Sequence, residues 1–204
     1  MALPAIPAYE LPTALPDNRV AWRVEPARAA LLIHDMQNHF LAPFESEPIP
    51  SVIDNILGLR EMCEAAGIPV FYSAQPGSQT PRQRGLLTDF WGRGLGDPYG
   101  AAIVDALRPQ DPACVLTKWR YSAFVRTDLA DRLGSRDQLL ITGIYAHIGV
   151  QATALDAFMR DIQPFVVGDA VADFSLEHHV GALEYVAQRC AQVVSAKELS
   201  AVPR

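Results

Sequence analysis

Lysine is nearly missing from this chain: Lys118 and Lys197 are the only two among 204 residues. A lysine at a strand end is therefore not one of many solvated surface charges. Cysteine is as scarce. Cys63, Cys114 and Cys190 are an odd number without CxxC spacing, so neither a disulfide framework nor a zinc site is indicated. All three are expected as buried thiols that pack as small hydrophobes, Cys63 within a helix, Cys114 opening a strand and Cys190 closing a helix. Positive charge is in deficit overall, with a net charge of −6. That argues against nonspecific binding to nucleic acid or to anionic membrane, which relies on basic surface.

Other absences narrow the field further. No apolar run approaches the roughly 20 residues needed to span a bilayer. The segment from Met1 to Pro7 lacks a basic stretch followed by an apolar one, so a cytoplasmic protein is expected. There is no GxSxG elbow, no GxxxxGK[ST] and no HExxH. Gly92-Arg93-Gly94-Leu95-Gly96 is glycine-rich but follows no strand and has the wrong spacing for a dinucleotide fingerprint; it reads as a flexible loop over the site. His178-His179 would be a poor chelate, because neighbours on a helix point about 100° apart. A solvated or capping role is expected for them, with Ser175 as the N-cap. No metal and no cofactor is expected.

Apolar residues make up 50% of the chain, enough for one well-buried domain over 1–204. Residues 1–27 form an extended N-terminal arm draped over the surface, since Pro4, Pro7, Pro12 and Pro16 forbid a regular helix. Strands and helices then alternate. Val52, Ile53, Ile56, Leu59 and Met62 recur at helical spacing from Ser51 to Ala66, with Gly67 as the stop. Asp97-Pro98 opens a helix through Ala106, and Thr127-Asp128 caps a short one stopping at Gly134. Further helices run from about Gly149 to Asp161 and from Ser175 to Arg189.

Short unbroken apolar runs read as strands buried on both faces of a parallel sheet. Ala29–His34 leads to Asp35, Val70–Ala74 to Gln75, Cys114–Thr117 to Lys118, and Leu139–Gly143 to Tyr145. Strands near Pro164–Gly168 and Ala191–Ser195 bring the sheet to six. The expected fold is a three-layer α/β sandwich, a Rossmann-like six-stranded parallel sheet with helices on both faces. Such sheets carry their chemistry at the carboxyl edge, where these four strand ends converge. An isolated strand-end aspartate is more often a turn or capping residue. The combination of Asp35 with Lys118, Gln75, Arg84 and the segment TGIYAHIG reverses that reading.

The pieces LLIHDMQNHF, AQPG…QRGLLTDFWG, LTKWRYSAF, TGIYAHIGV and DIQPFVVGDAVADFS resemble the isochorismatase branch of the isochorismatase-like (cysteine hydrolase) superfamily, in particular its phenazine-type and siderophore-type members. Most of that superfamily works with an aspartate, a lysine and a nucleophilic cysteine. Asp35 and Lys118 match the first two, and the cysteine position falls on Gly149. No thioester can form there, and nicotinamidase-type amide hydrolysis is disfavoured. Paired metal-binding histidines are also absent, since Ala74–Ser78 occupies their place.

The resemblance implies hydrolysis of the enolpyruvyl (vinyl) ether of a cyclohexadiene acid, releasing pyruvate. A vinyl ether resists direct attack by water and needs a proton donor. Asp35 is the candidate general acid. Lys118 either hydrogen-bonds Asp35 or pairs with a substrate carboxylate. Arg84 is a further carboxylate ligand, whereas Arg120 is either a substrate contact or one half of a structural ion pair. Gln75 would hold a ring substituent or a water. Phe40, Trp91, Tyr121 and Tyr145 would wall the site, and Gly149, opening a helix, would turn its backbone N–H towards an anion. The resemblance also implies a cis peptide at Ile144–Tyr145.

Two dicarboxylate substrates fit: isochorismate, towards catechol siderophores, and 2-amino-2-deoxyisochorismate, towards phenazines. The QPGS…QRGLL segment and Gly149-Val150 lean towards the amino compound. No aryl carrier domain is expected, as the sequence stops near Lys197–Ser200. A homodimer is implied by the resemblance. The alternative class is a non-catalytic binding or scaffold protein of the same fold.

Overall fold

A computed structural model describes residues 3–200; the arm's first two residues and positions 201–204 lie outside it. In chain order the elements are β1 (Ala29–His34), α1 (Asn38–Leu41), α2 (Ile49–Ala65), β2 (Val70–Ala74), α3 (Pro81–Arg84), α4 (Leu87–Trp91) and α5 (Pro98–Ala101). There follow β3 (Val115–Thr117), α6 (Leu129–Leu133), β4 (Gln138–Ile144), α7 (Gln151–Phe158), β5 (Gln163–Ala172), α8 (Leu176–Arg189), β6 (Gln192–Val194) and α9 (Ala196–Ser200).

Among the described residues six strands form one parallel sheet in the order β3-β2-β1-β4-β5-β6. This is the doubly wound order, in which the chain reverses direction of growth between β1 and β4. Strand alternation distributes the core to the two faces. Leu31 and Ile33 pack towards α2 and α9, with Val52, Ile56 and Leu59. Ala30 and Leu32 pack towards α6, α7 and α8, with Leu129, Ala154 and Leu183. Each fully buried aliphatic side chain contributes roughly 1.5–3 kcal/mol. The centre of the sheet therefore resists any change that would move the ends of β1 and β4.

Several boundaries differ from the sequence reading. The helix expected from Asp97 to Ala106 ends at Ala101, because Ile103 bridges to Gln37 and the chain makes a 3-10 turn at Asp105–Leu107. The helix expected from Gly149 begins earlier, as a π-helical turn over Ala146–Val150 that runs into α7, and α7 stops at Phe158. Cys114 ends a 3-10 turn just before β3 and is only half-buried, as the short edge strand leaves its neighbour uncovered. Cys63 and Cys190 are buried.

The arm is more than a surface strap. Ile6 is fully buried and bridges Phe44. Tyr9 Oη accepts from the Asp173 backbone N–H (2.8 Å) and lies 3.2 Å from His179 Nδ1. His179 is accordingly not solvated: it is fully buried and its Nε2 donates to the Gly168 carbonyl (2.9 Å). His178 does sit at the exposed start of α8, where Ser175 caps its backbone N–H.

Candidate active site

The carboxyl ends of β1, β2, β3 and β4 meet at one cavity of about 170 Å³. Asp35 follows β1 with φ +51°, a left-handed turn that aspartate tolerates better than most residues. Its backbone N–H donates to the Ser73 carbonyl (3.1 Å), which holds the turn against β2. Ser73 Oγ donates to Asp35 Oδ1 (2.6 Å) and Lys118 Nζ lies 2.8 Å from Oδ2.

Lys118 is placed by its own backbone, whose N–H donates to the Ala74 carbonyl (2.9 Å). Its Nζ also donates to the Arg120 carbonyl (2.7 Å), so two of its three donors are used and one remains for a ligand. Burial pushes the Asp35 carboxyl up. The Lys118 ammonium, His34 and the hydrogen bonds from Lys118 and Ser73 together outweigh burial and hold it below the usual carboxylate range. The ligand-free site is an ion pair.

Gln75, Arg84, Tyr145, Gly149, Phe40, Trp91 and Tyr121 all line the same cavity with Asp35 and Lys118. Gln37 fixes Gln75 by a reciprocal pair, accepting from its backbone N–H (2.8 Å) and donating to its carbonyl (2.9 Å). Arg84 is buried; its guanidinium donates to Gln75 Oε1 (2.9 Å) and to the Gly92 carbonyl (3.1 Å). The glycine-rich loop does close over the site. A Cβ on Gly94 would stand 2.9 Å from the Arg84 guanidinium carbon, so the loop packs flat on that cation only as glycine.

Trp91 Nε1 donates to Tyr121 Oη (2.7 Å), and Tyr145 Oη donates to the Phe40 carbonyl (2.7 Å). Burial pushes the Tyr145 phenol well up. The Ile144–Tyr145 peptide is cis. Gly149 lines the cavity from within the π-helical turn, so Ala146–Ile148 and not Gly149 form the helix start. Arg120 does not line the cavity. Its guanidinium donates to the Gln83 and Trp119 carbonyls, a structural tie with no ion pair among the described residues.

Sequence reasoning missed four contributors. Ser73 is one residue inside β2 and looks like core. Gln37 is a buried clamp, and Arg93 reaches the cavity rim from the glycine-rich loop. The fourth is His147, whose Nδ1 lies 2.6 Å from the buried Asp173 carboxylate, while Asp173 also accepts the His147 backbone N–H (2.6 Å) and so fixes the turn that carries Gly149. Gln37 and His147 at least fall within motifs already quoted and Arg93 within the glycine-rich loop; Ser73, inside an apolar strand, gave no signal. No cluster of three or more metal-ligating side chains occurs among the described residues.

The model of the isochorismatase domain matches residues 29–198. The chain belongs to the isochorismatase family. It is 56% identical to the isochorismatase of Bacillus subtilis (strain 168), over 98% of this chain and 66% of that protein, so it spans about two thirds of that relative's length. It is 50% identical to the phenazine biosynthesis protein PhzD of Pseudomonas fluorescens, over 97% of this chain and 98% of that one. The crystal structure of a cysteine hydrolase from Pseudomonas syringae pv. phaseolicola 1448A superposes with a TM-score of 0.79 at 22% identity, over 91% of this chain and 95% of that one. That likeness shows the shared α/β fold. The chain is an isochorismatase-family hydrolase, and no helix among its described residues is long and apolar enough to cross a membrane.

Proposed function

We propose that this hydrolase cleaves the enolpyruvyl ether of isochorismate or 2-amino-2-deoxyisochorismate by general-acid catalysis, with no covalent intermediate. The observation that carries the reading is the Asp35–Lys118 ion pair at the wall of a cavity that also holds Arg84 and Arg93 but no nucleophile at Gly149. The charges suit the ligand. Asp35 and Lys118 cancel, and the two arginines leave the charge of two cations for two carboxylates.

Binding of the dianion raises the Asp35 carboxyl, both by its own charge and by drawing the free Lys118 donor to a substrate carboxylate. Asp35 then protonates the terminal methylene carbon, and the enol-ether oxygen shares the positive charge of the oxocarbenium ion. Water adds to the ether carbon and one of its protons returns to the Asp35 carboxylate. The hemiketal then collapses: its hydroxyl oxygen becomes the pyruvate carbonyl, the bond between the ring-borne oxygen and the former enolpyruvyl carbon breaks, and the hydroxyl proton passes to that oxygen, which leaves as the ring alcohol. Gln75 offers its Nε2 donor to the ring substituent, because its Oε1 is already taken by Arg84. Trp91, Tyr121, Tyr145 and Phe40 exclude bulk water from the cation.

The test is pyruvate release coupled to lactate dehydrogenase, with EDTA present and each substrate offered separately. Preference for the amino compound supports a phenazine-type role, and preference for isochorismate a dihydroxybenzoate-type role. Release from neither returns the protein to a binding or scaffold function. The same reading makes it a cytoplasmic single-domain homodimer. Exposed Leu86, Phe90 and Tyr99 beside the site are in keeping with a covered face, and sedimentation equilibrium measures the subunit number.

A further inference from the structure

His34 ends β1 directly before Asp35 and is fully buried, yet it has no part in the mechanism above. Its Nδ1 lies 2.9 Å from the Ile144 carbonyl oxygen. A carbonyl only accepts, so Nδ1 carries the ring proton and Nε2 is a lone pair. Among the described residues Nε2 has no hydrogen-bond partner. An unpartnered buried nitrogen is a net cost to folding that an aliphatic side chain of similar volume would avoid. The ring's place therefore calls for a reason other than core stability.

That reason lies across the cavity wall. A Cβ on Gly149 would stand 3.0 Å from His34 Nε2, 3.1 Å from Nδ1 and closer still to Cε1. Neither partner can retreat. The Gly149 carbonyl accepts from Thr153 Oγ1 (2.7 Å), and that oxygen accepts from the Ala123 backbone N–H (3.0 Å). His34 is held in the middle of the sheet, paired with Ser73 of β2 and Gly143 of β4. The imidazole occupies the volume into which any side chain at position 149 would have to grow.

We propose that His34 is a specificity-determining residue: its ring excludes a nucleophilic side chain from position 149, so the His34–Gly149 pair, and not the glycine alone, sets the reaction class. The proposal rests on the reading of the site as one that works without a covalent nucleophile. It has a directional consequence. A thiol cannot be accommodated at 149 in this chain until the ring at 34 has been removed.

The test introduces Gly149→Cys and Gly149→Ala into the native chain and into His34→Ala and His34→Val backgrounds. With His34 present, either change should lower Tm by roughly 5–10 °C or prevent folding, as expected for overpacking beside fixed backbone. In a His34→Ala or His34→Val background the same change should leave Tm level or raise it, because the added methylene fills the vacated space. After iodoacetamide treatment and mass mapping, the introduced thiol should be alkylated about tenfold faster in His34→Ala/Gly149→Cys than in Gly149→Cys, since it then has room beside a cavity that the Lys118 ammonium also lines.

Rescue of a Gly149→Cys chain that fails to fold alone counts equally in favour. A native Tm for Gly149→Cys with His34 in place, or no relief in either His34 background, overturns the proposal. Neither readout uses turnover. Failure of the vinyl-ether reading would show instead as no pyruvate from the native protein.

Discussion

Lys118 Nζ lies 2.8 Å from Asp35 Oδ2, and both side chains are withdrawn from water, at 1% and 7% exposure. Against the cost of burial, the ammonium helps hold the Asp35 carboxyl in its charged form. In the mechanism proposed above, the acid is disarmed until a substrate dianion arrives, and proton transfer is coupled to binding.

Asp35→Asn should lower kcat by between about a hundredfold and ten-thousandfold, the usual contribution of a positioned general acid. Equilibrium binding of substrate should survive, because the asparagine keeps the shape of the cavity. The change also leaves the Lys118 ammonium buried without its counter-charge, at about 3–5 kcal/mol of stability. Steady-state kinetics and urea unfolding of one preparation check both. Unchanged turnover would remove Asp35 from the mechanism.

Stability should fall as the solution is acidified from pH 6.5 towards 4. Burial pushes the His34 imidazole down from 6.5 to about 4, with Asp35 opposing and Lys118 adding to the shift. Between those values the unfolded chain binds a proton that the folded one does not, so stability is lost as pH falls through the window, by on the order of 3 kcal/mol for the full shift. The depressed Asp35 carboxyl extends the loss below its ordinary 3.8. Urea midpoints of the native chain and His34→Val over pH 4–7 isolate the contribution of His34 from those of His39 and His179, which burial also lowers. The variant should show the shallower slope.

Arg84→Ala should raise KM by between about tenfold and a hundredfold with a smaller change in kcat, the effect of losing a charged hydrogen bond to a carboxylate. Arg84→Lys should not restore it. A lysine lacks the fork that reaches Gln75 and the Gly92 carbonyl at once. A KM unchanged in Arg84→Ala would leave Arg93 as the arginine that holds substrate.

Alkylation of native thiols should leave pyruvate release intact. No cysteine lines the cavity, and burial pushes the Cys63 and Cys190 thiols up to about 12 and about 11, far from the reactive thiolate. Loss of activity in step with iodoacetamide labelling would require a different chemistry at the site.

Ile6→Ala should cost about 2–5 kcal/mol, the range for deleting a buried aliphatic side chain, although the segment around it has no helix or strand ladder. Chemical denaturation measures it directly. A loss under half a kcal/mol would mean that the arm only rests on the surface.

The sequence by itself determined the sheet and the face that carries the chemistry. Short unbroken apolar runs bounded by turn residues and alternating with helical patterns read as strands buried on both faces, and Asp35, Gln75, Lys118 and Tyr145 each stand just past one. Their convergence follows from parallel strands sharing a carboxyl edge. Only the tertiary structure decided what those side chains do to one another. The balance between burial and ion pairing at Asp35 depends on distances of a few ångströms that periodicity does not encode. His34, Ser73 and Gln37 read as interior strand or turn residues, and their partners, Gly149, Asp35 and Gln75, are assembled from segments 38 or more residues away. His179 read as solvated or capping because it follows the N-cap Ser175 by one helical turn, yet Tyr9 of the arm packs against it. Local patterning specifies which face of an element is apolar; which polar group meets which across that face is settled when the layers close.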